Sequence, residues 1–179
     1  MILVGIGSNL SFCGATPYAV VKMSVRALSQ IGQVRATSRF YRTPAWPNPD
    51  DPEYINAAVS LSTDLRPARL LSLLHQIEAA FGRKRGAKNG PRTLDLDLLG
   101  YDDVSIPGGK ADGLVLPHPR LHAREFVLRP LADIAPDWTP PESKKTVATL
   151  LEELGVEDAI PLKIRGGDET DAAARRWSL

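Results

Sequence analysis

Residues 94–98, Leu-Asp-Leu-Asp-Leu, alternate without a break between apolar and acidic. Only an extended strand sorts residues two apart onto one face. The spacing therefore predicts a strand over 93–100, with Leu94, Leu96 and Leu98 in a core and Asp95 and Asp97 together on the opposite side. Residues 54–63 alternate as well: Ile55, Ala57, Val59 and Leu61 share one face, and Tyr54, Asn56, Ala58, Ser60 and Ser62 the other. A sheet with one apolar face needs cover on that side.

The cover is predicted from helical spacing. Thr16-Pro17 caps a helix carrying Val21, Val25 and Leu28, with Gly32 placed to end it. Pro67 opens a second, with Leu70, Leu74, Ile77 and Phe81 as its stripe and Gly82 as its stop. Residues 2–6 read as a buried strand broken by Gly7-Ser8-Asn9, and 34–42 as a strand rich in β-branched and aromatic types. Four prolines in 44–52 exclude regular structure there, and 83–92 form a basic loop. A short strand at 114–116 and helices near 124–134 and 146–155 follow. The order β-α-β-β-α-β predicts an α+β, ferredoxin-like antiparallel sheet with helices on one face, plus extra C-terminal helices. Residues 1–160 are expected to form a single domain and 161–179 a loosely packed tail.

The hydrophobic fraction of 43% supports a sizeable core, and a net charge of +1 argues against a nucleic-acid binder driven by bulk charge. The one cysteine, Cys13, excludes an internal disulfide and a cysteine-based zinc site. No stretch approaches the roughly 18 apolar residues of a membrane span, and Met1–Gly5 lacks the basic start of a signal peptide, so a soluble, cytoplasmic protein is expected.

Two carboxylates on one face repel unless a cation sits between them. Oxygen-only ligands at the spacing of Asp95 and Asp97 suit Mg²⁺, although two solvated aspartates on an edge strand would share the motif. Arg83, Lys84, Arg85, Lys88 and Arg92 lie just upstream, and arginine forks grip phosphate oxygens in pairs. Asn56 offers both donors and an acceptor to a flat, amide-like edge, and Tyr54 or Phe126 offers a ring to stack on it. Pro117-His118-Pro119-Arg120 with Arg124 forms a further basic cluster, and Trp46 is a candidate lid. P-loop, Rossmann, nucleophile-elbow and protein-kinase motifs are absent from the sequence.

Lys88-Asn89-Gly90-Pro91-Arg92-Thr93-Leu94-Asp95-Leu96-Asp97-Leu98-Leu99 resembles the signature of the 6-hydroxymethyl-7,8-dihydropterin pyrophosphokinase family of folate biosynthesis. Gly7-Ser8-Asn9-Leu10, Phe40-Tyr41-Arg42-Thr43-Pro44, Tyr54-Ile55-Asn56-Ala57-Ala58, Ile77-Glu78 and Leu116-Pro117-His118-Pro119-Arg120 extend the likeness over about residues 1–135. The resemblance implies that Asp95 and Asp97 hold two Mg²⁺ ions, with Arg83 and Arg92 catalytic beside them. It implies ATP contacts from His75, Glu78, Arg83, Arg85, Arg92, Leu98, His118 and Arg124. It implies a pterin pocket of Thr43, Pro44, Trp46, Tyr54, Asn56, Asp95 and Phe126. The expected partners are ATP and 6-hydroxymethyl-7,8-dihydropterin, with no nucleic acid, no membrane and a monomeric state. Asn89 stands where some members carry tryptophan, so an aromatic lid is not carried over there. Two other classes compete. A single-stranded RNA module conflicts with carboxylates on the ligand face, and an inactive scaffold conflicts with the complete set of Asp95, Asp97, Arg92 and Asn56.

Overall fold

The computed structural model describes residues 1–84, 90–108, 113–141, 143–155 and 158–162. The predicted order of elements is present. Strand β1 (Ile2–Ser8) leads to α1 (Pro17–Leu28), β2 (Gln33–Thr37), β3 (Tyr41–Thr43) and β4 (Tyr54–Ser62). Then come α2 (Pro67–Ala80), β5 (Asp95–Tyr101), α3 (Glu125–Ile134), α4 (Val147–Leu154) and β6 (Ile160–Pro161). All pairings are antiparallel, in the order β5-β1-β4-β3-β6, with β2 beside β3 on the same edge of β4. Among the described residues no helix is long and apolar enough to cross a membrane.

The two alternating segments sort as their sequences require. Leu94, Leu96 and Leu98 join Ile55, Ala57, Val59 and Leu61 in a core closed by Val20, Val21 and Leu28 of α1 and Leu70 and Leu74 of α2. The Thr16 hydroxyl caps α1 by accepting from the Ala19 amide at 3.3 Å. The opposite face is only partly free. Leu3, Ala58 and Leu99 are apolar there, and α3 and α4 cover them with Val127, Leu128, Leu131 and Val147. Farther along the same face stand Gly5, Gly7, Asn56, Asp95 and Asp97, which lack an apolar side chain to bury. That half stays open as a cavity.

Several boundaries differ from the sequence expectation. Gly7 does not break β1, because it pairs with both Asn56 and Asp95. Helix α1 ends at Leu28, four residues before Gly32; Gly32 lies where an added Cβ would come within 2.9 Å of the Ser62 carbonyl oxygen. The strand expected over 34–42 is broken at Ser38–Phe40. There the Ser38 amide donates to the Ala58 carbonyl, and the Ser38 hydroxyl accepts from the Ala58 amide, both at 2.9 Å. The Arg39 amide and guanidinium turn instead to Asp133 of α3, which also accepts from the Tyr41 hydroxyl. The strand expected at 114–116 reduces to a single bridge between Ile106 and Leu116. Strand β6 has no periodic signal. It is held by pairing with Tyr41 and Arg42 and by Glu125, whose carboxylate accepts from the Asp158 and Ala159 amides.

Gly100 packs against Trp138, where an added Cβ would come within 2.6 Å of the indole. Overpacking of this kind costs about 1–3 kcal/mol. Gly100→Ala is therefore expected to lower stability by about that amount in urea unfolding, and Trp138→Leu in the same chain is expected to restore part of it.

Candidate active site

The open half of the sheet forms a cavity of about 220 Å³. Gly5 and Gly7 of β1 form its floor. They face Asp97 and Asp95 of β5 on one side and Ala58 and Asn56 of β4 on the other. A Cβ on Gly7 would stand 3.1 Å from Asn56 Oδ1, and one on Gly5 3.2 Å from Leu99 Cδ1. Larger residues would thus fill the cavity from below.

One wall is charged. Asp95 accepts from the Arg92 guanidinium at 2.8 Å and from Arg83, which also bridges to Glu78. Glu78 is 5% exposed, on the covered side of the sheet, and its Oε1 accepts from the Leu96 amide at 2.7 Å. Burial pushes its carboxyl up to about 7, against the pull of the Leu96 amide and Arg83. Asp97 has no ion pair among the described residues. Burial, and then the neighbouring Asp95 carboxylate, push it up to about 6 despite Arg124, Arg83 and Arg92. Burial and the nearby Arg120 lower Arg124, whose guanidinium lies 5.3 Å from the centre of the Phe126 ring.

The other wall is shaped for a flat ligand. Asn56, 5% exposed, donates through Nδ2 to the Thr43 hydroxyl at 2.7 Å, which fixes its amide plane. Tyr54 reaches from the same strand, and its hydroxyl donates to the Gly90 carbonyl at 3.3 Å. Pro44, Trp46 and Phe126 complete this wall, and Trp46 is 63% exposed at the mouth.

The fold thus brings Thr43, Pro44, Trp46, Tyr54, Asn56, Arg83, Arg92, Asp95, Asp97, Arg124 and Phe126 to one cavity, from segments up to 83 positions apart. Four expected residues do not line it. His75 is exposed on α2, Glu78 lies behind Arg83, and the Leu98 side chain is in the core. His118 lines a separate hollow beside α4, and burial lowers it to about 4, which leaves it neutral at physiological pH. Arg85, Lys88 and Asn89 lie outside the described residues. Arg120, from the basic cluster read in the sequence, also lines the cavity, and so do Gly5 and Gly7, which sequence reasoning missed as site residues. The Gly5-Ile6-Gly7 spacing, small residues two apart in a strand, carried a usable signal for the floor.

Residues 3–136 match the family model described as 7,8-dihydro-6-hydroxymethylpterin-pyrophosphokinase. The chain is 47% identical over 122 residues to the 2-amino-4-hydroxy-6-hydroxymethyldihydropteridine pyrophosphokinase of Synechocystis, covering 68% of this chain and 60% of that protein. It is 36% identical over 160 residues to the Methylorubrum extorquens protein of the same name, covering 86% and 95% respectively. The crystal structure of Plasmodium falciparum HPPK-DHPS superposes with a TM-score of 0.64 at 14% identity, over 85% of this chain and 43% of that one, which supports the fold.

Asp97 titrates in a direction that can be tested. The unfolded carboxyl loses its proton near 3.8 and the folded one near 6. Between these values the folded state holds the extra proton, so this group's contribution to stability falls as pH rises through about 6. In metal-free buffer, Asp97→Asn is expected to raise the unfolding midpoint relative to the parent at pH 8 and to lose that advantage by pH 4. An advantage independent of pH would contradict the assignment.

Proposed function

The chain belongs to the 7,8-dihydro-6-hydroxymethylpterin-pyrophosphokinase family, and from that membership we propose that it transfers the pyrophosphate group of ATP to 6-hydroxymethyl-7,8-dihydropterin, releasing AMP, as a step of folate biosynthesis. The observation that carries this reading is the pairing of the two walls: carboxylates and arginines on one side, and on the other an amide fixed by Thr43 in a lining that includes Tyr54, Trp46 and Phe126.

Arg83, Arg92 and Arg124 orient and neutralise the triphosphate, Arg83 and Arg92 exchanging part of their contact with Asp95 for phosphate oxygens. Asn56 reads the amide-like edge of the pterin, Tyr54 and Phe126 face its ring, and Thr43, Pro44 and Trp46 close the pocket. The hydroxymethyl oxygen attacks the β-phosphorus in line. A bond forms from that oxygen to the β-phosphorus as the bond from the β-phosphorus to the oxygen bridging the α-phosphorus breaks, and the hydroxyl proton passes to solvent. Positioning and charge neutralisation carry the rate, and no covalent intermediate is required.

The donor set fits a hard divalent cation. Asp95 and Asp97 supply oxygen only, from adjacent positions on one strand face beside Gly5 and Gly7. Among the described residues no group of three or more His, Cys, Asp or Glu could form a dedicated metal cage, so substrate oxygens and water would complete the shell. Asp95 and Asp97 would hold Mg²⁺, two ions by the family pattern, which when bound supplies positive charge to the transferring group. His75, Glu78, Leu98, His118 and Arg85 carry over as ATP-side residues from the family pattern. The catalytic unit includes β6 (Ile160–Pro161), which runs one residue past the domain boundary expected from the sequence, and acts as a cytoplasmic monomer without nucleic acid.

Incubating the protein with Mg-ATP and 6-hydroxymethyl-7,8-dihydropterin is expected to yield AMP only when both Mg²⁺ and the pterin are present. AMP without pterin, or none at all, would overturn the reading. Asp97→Ala is expected to lower turnover by orders of magnitude with the circular dichroism spectrum unchanged; near-normal turnover would remove Asp97 from the metal site.

A further inference from the structure

Gly7-Ser8-Asn9-Leu10 carries part of the family likeness, and none of the roles above uses Asn9. Asn9 is 3% exposed and follows directly on the end of β1. The loop before β4 and the segment before β5 both arrive at this end of the sheet, one on each side of β1.

Its amide is used in both senses. Oδ1 accepts from the Arg92 amide at 2.7 Å, and Nδ2 donates to the Pro52 carbonyl at 2.9 Å. The Asn9 and Leu10 amides both donate to the Arg92 carbonyl, at 3.1 and 3.2 Å. Both backbone polar groups of Arg92 are therefore held from residues 9 and 10, while the same side chain fixes the proline loop two residues before Tyr54. The loop closes on the far side as well: the Tyr54 hydroxyl and Arg92 Nε both donate to the Gly90 carbonyl. The Ser8 hydroxyl adds a bond to the Thr93 carbonyl at 2.6 Å.

We propose that Asn9 is a positioning residue that fixes the spacing between the phosphate wall, through Arg92, and the flat-ligand wall, through Pro52 and Tyr54. The residue type follows from the task. A carboxamide carries a donor and an acceptor at one fork. Aspartate keeps the acceptor for Arg92 and sets a second acceptor against the Pro52 carbonyl. Serine is too short to span both. The inference rests on the pyrophosphokinase reading for its kinetic consequences, but its structural half stands apart from that reading.

Asn9→Asp and Asn9→Ala in the full chain test it with two readouts. The first is hydrogen exchange at the Arg92 amide followed by NMR, which needs no activity. Arg92 protection is expected to survive in Asn9→Asp and to fall about tenfold or more in Asn9→Ala, the loss of one buried hydrogen bond. The second is AMP formation with KM measured separately for the pterin and for Mg-ATP. Asn9→Asp is expected to raise the pterin KM about tenfold with the ATP KM within about twofold, whereas Asn9→Ala lowers kcat as well. Identical exchange and kinetics in the two variants, or loss of thermal stability with both KM values unchanged, would overturn the proposal. If Asn9→Ala does not fold, Asn9→Asp decides it alone. A parent protein that forms no AMP would sink the functional reading, and the exchange result would still judge the clip.

Discussion

Two like charges placed side by side on one strand face have to be compensated, and most of the cavity can be understood as the answer. Asp95 and Asp97 share a face because the leucines between them must share the other. Asp95 is answered within the protein by Arg83 and Arg92. Asp97 has no such ion pair among the described residues, and burial, with the Asp95 charge beside it, holds it back from ionising despite the nearby arginines. A site that neutralised both carboxylates internally would have little left to attract a cation. One that neutralised neither would hold the two charges together at a larger cost in stability. Glu78 steadies the arrangement from behind by accepting the free Leu96 amide of the edge strand and drawing Arg83 into line.

The flat wall depends on remote contacts in a similar way. Asn56 is aimed by Thr43, which lies in a strand of only three residues. That strand is held by β4 on one side and β6 on the other. Asp133 ties Arg39 and Tyr41 to α3, and α3 carries Phe126 into the pocket. Glu125, next to Phe126, receives the amides that lead into β6. A side chain that faces a ligand is therefore fixed by bonds to segments far along the chain.

This division also explains what was legible in the sequence. Alternation at 54–63 and 94–98 identified β4, β5, both faces and the carboxylate pair, because a strand has a strict period of two. The stripe from Leu70 to Phe81 located α2 for the same kind of reason. The break at Ser38, the pairing of β6 and the cover of the second face by α3 and α4 have no period. They follow from hydrogen bonds and packing between residues distant in sequence. Asn9 was visible only as part of a motif, since its partners at Pro52 and Arg92 are 43 and 83 residues away.

Strand β1 lies between β4 and β5, although it is the first element of the chain. Its buried residues Leu3, Val4 and Ile6 find their pairing partners only at residues 54–62 and 95–101. During synthesis it waits as an apolar ribbon with both hydrogen-bonding edges open until about ninety further residues have emerged. The glycines that clear the cavity floor sit in that ribbon, and glycine disfavours extended pairing with itself or with other chains. The residues that make room for a ligand in the finished protein thus also make the nascent strand a poorer template for aggregation.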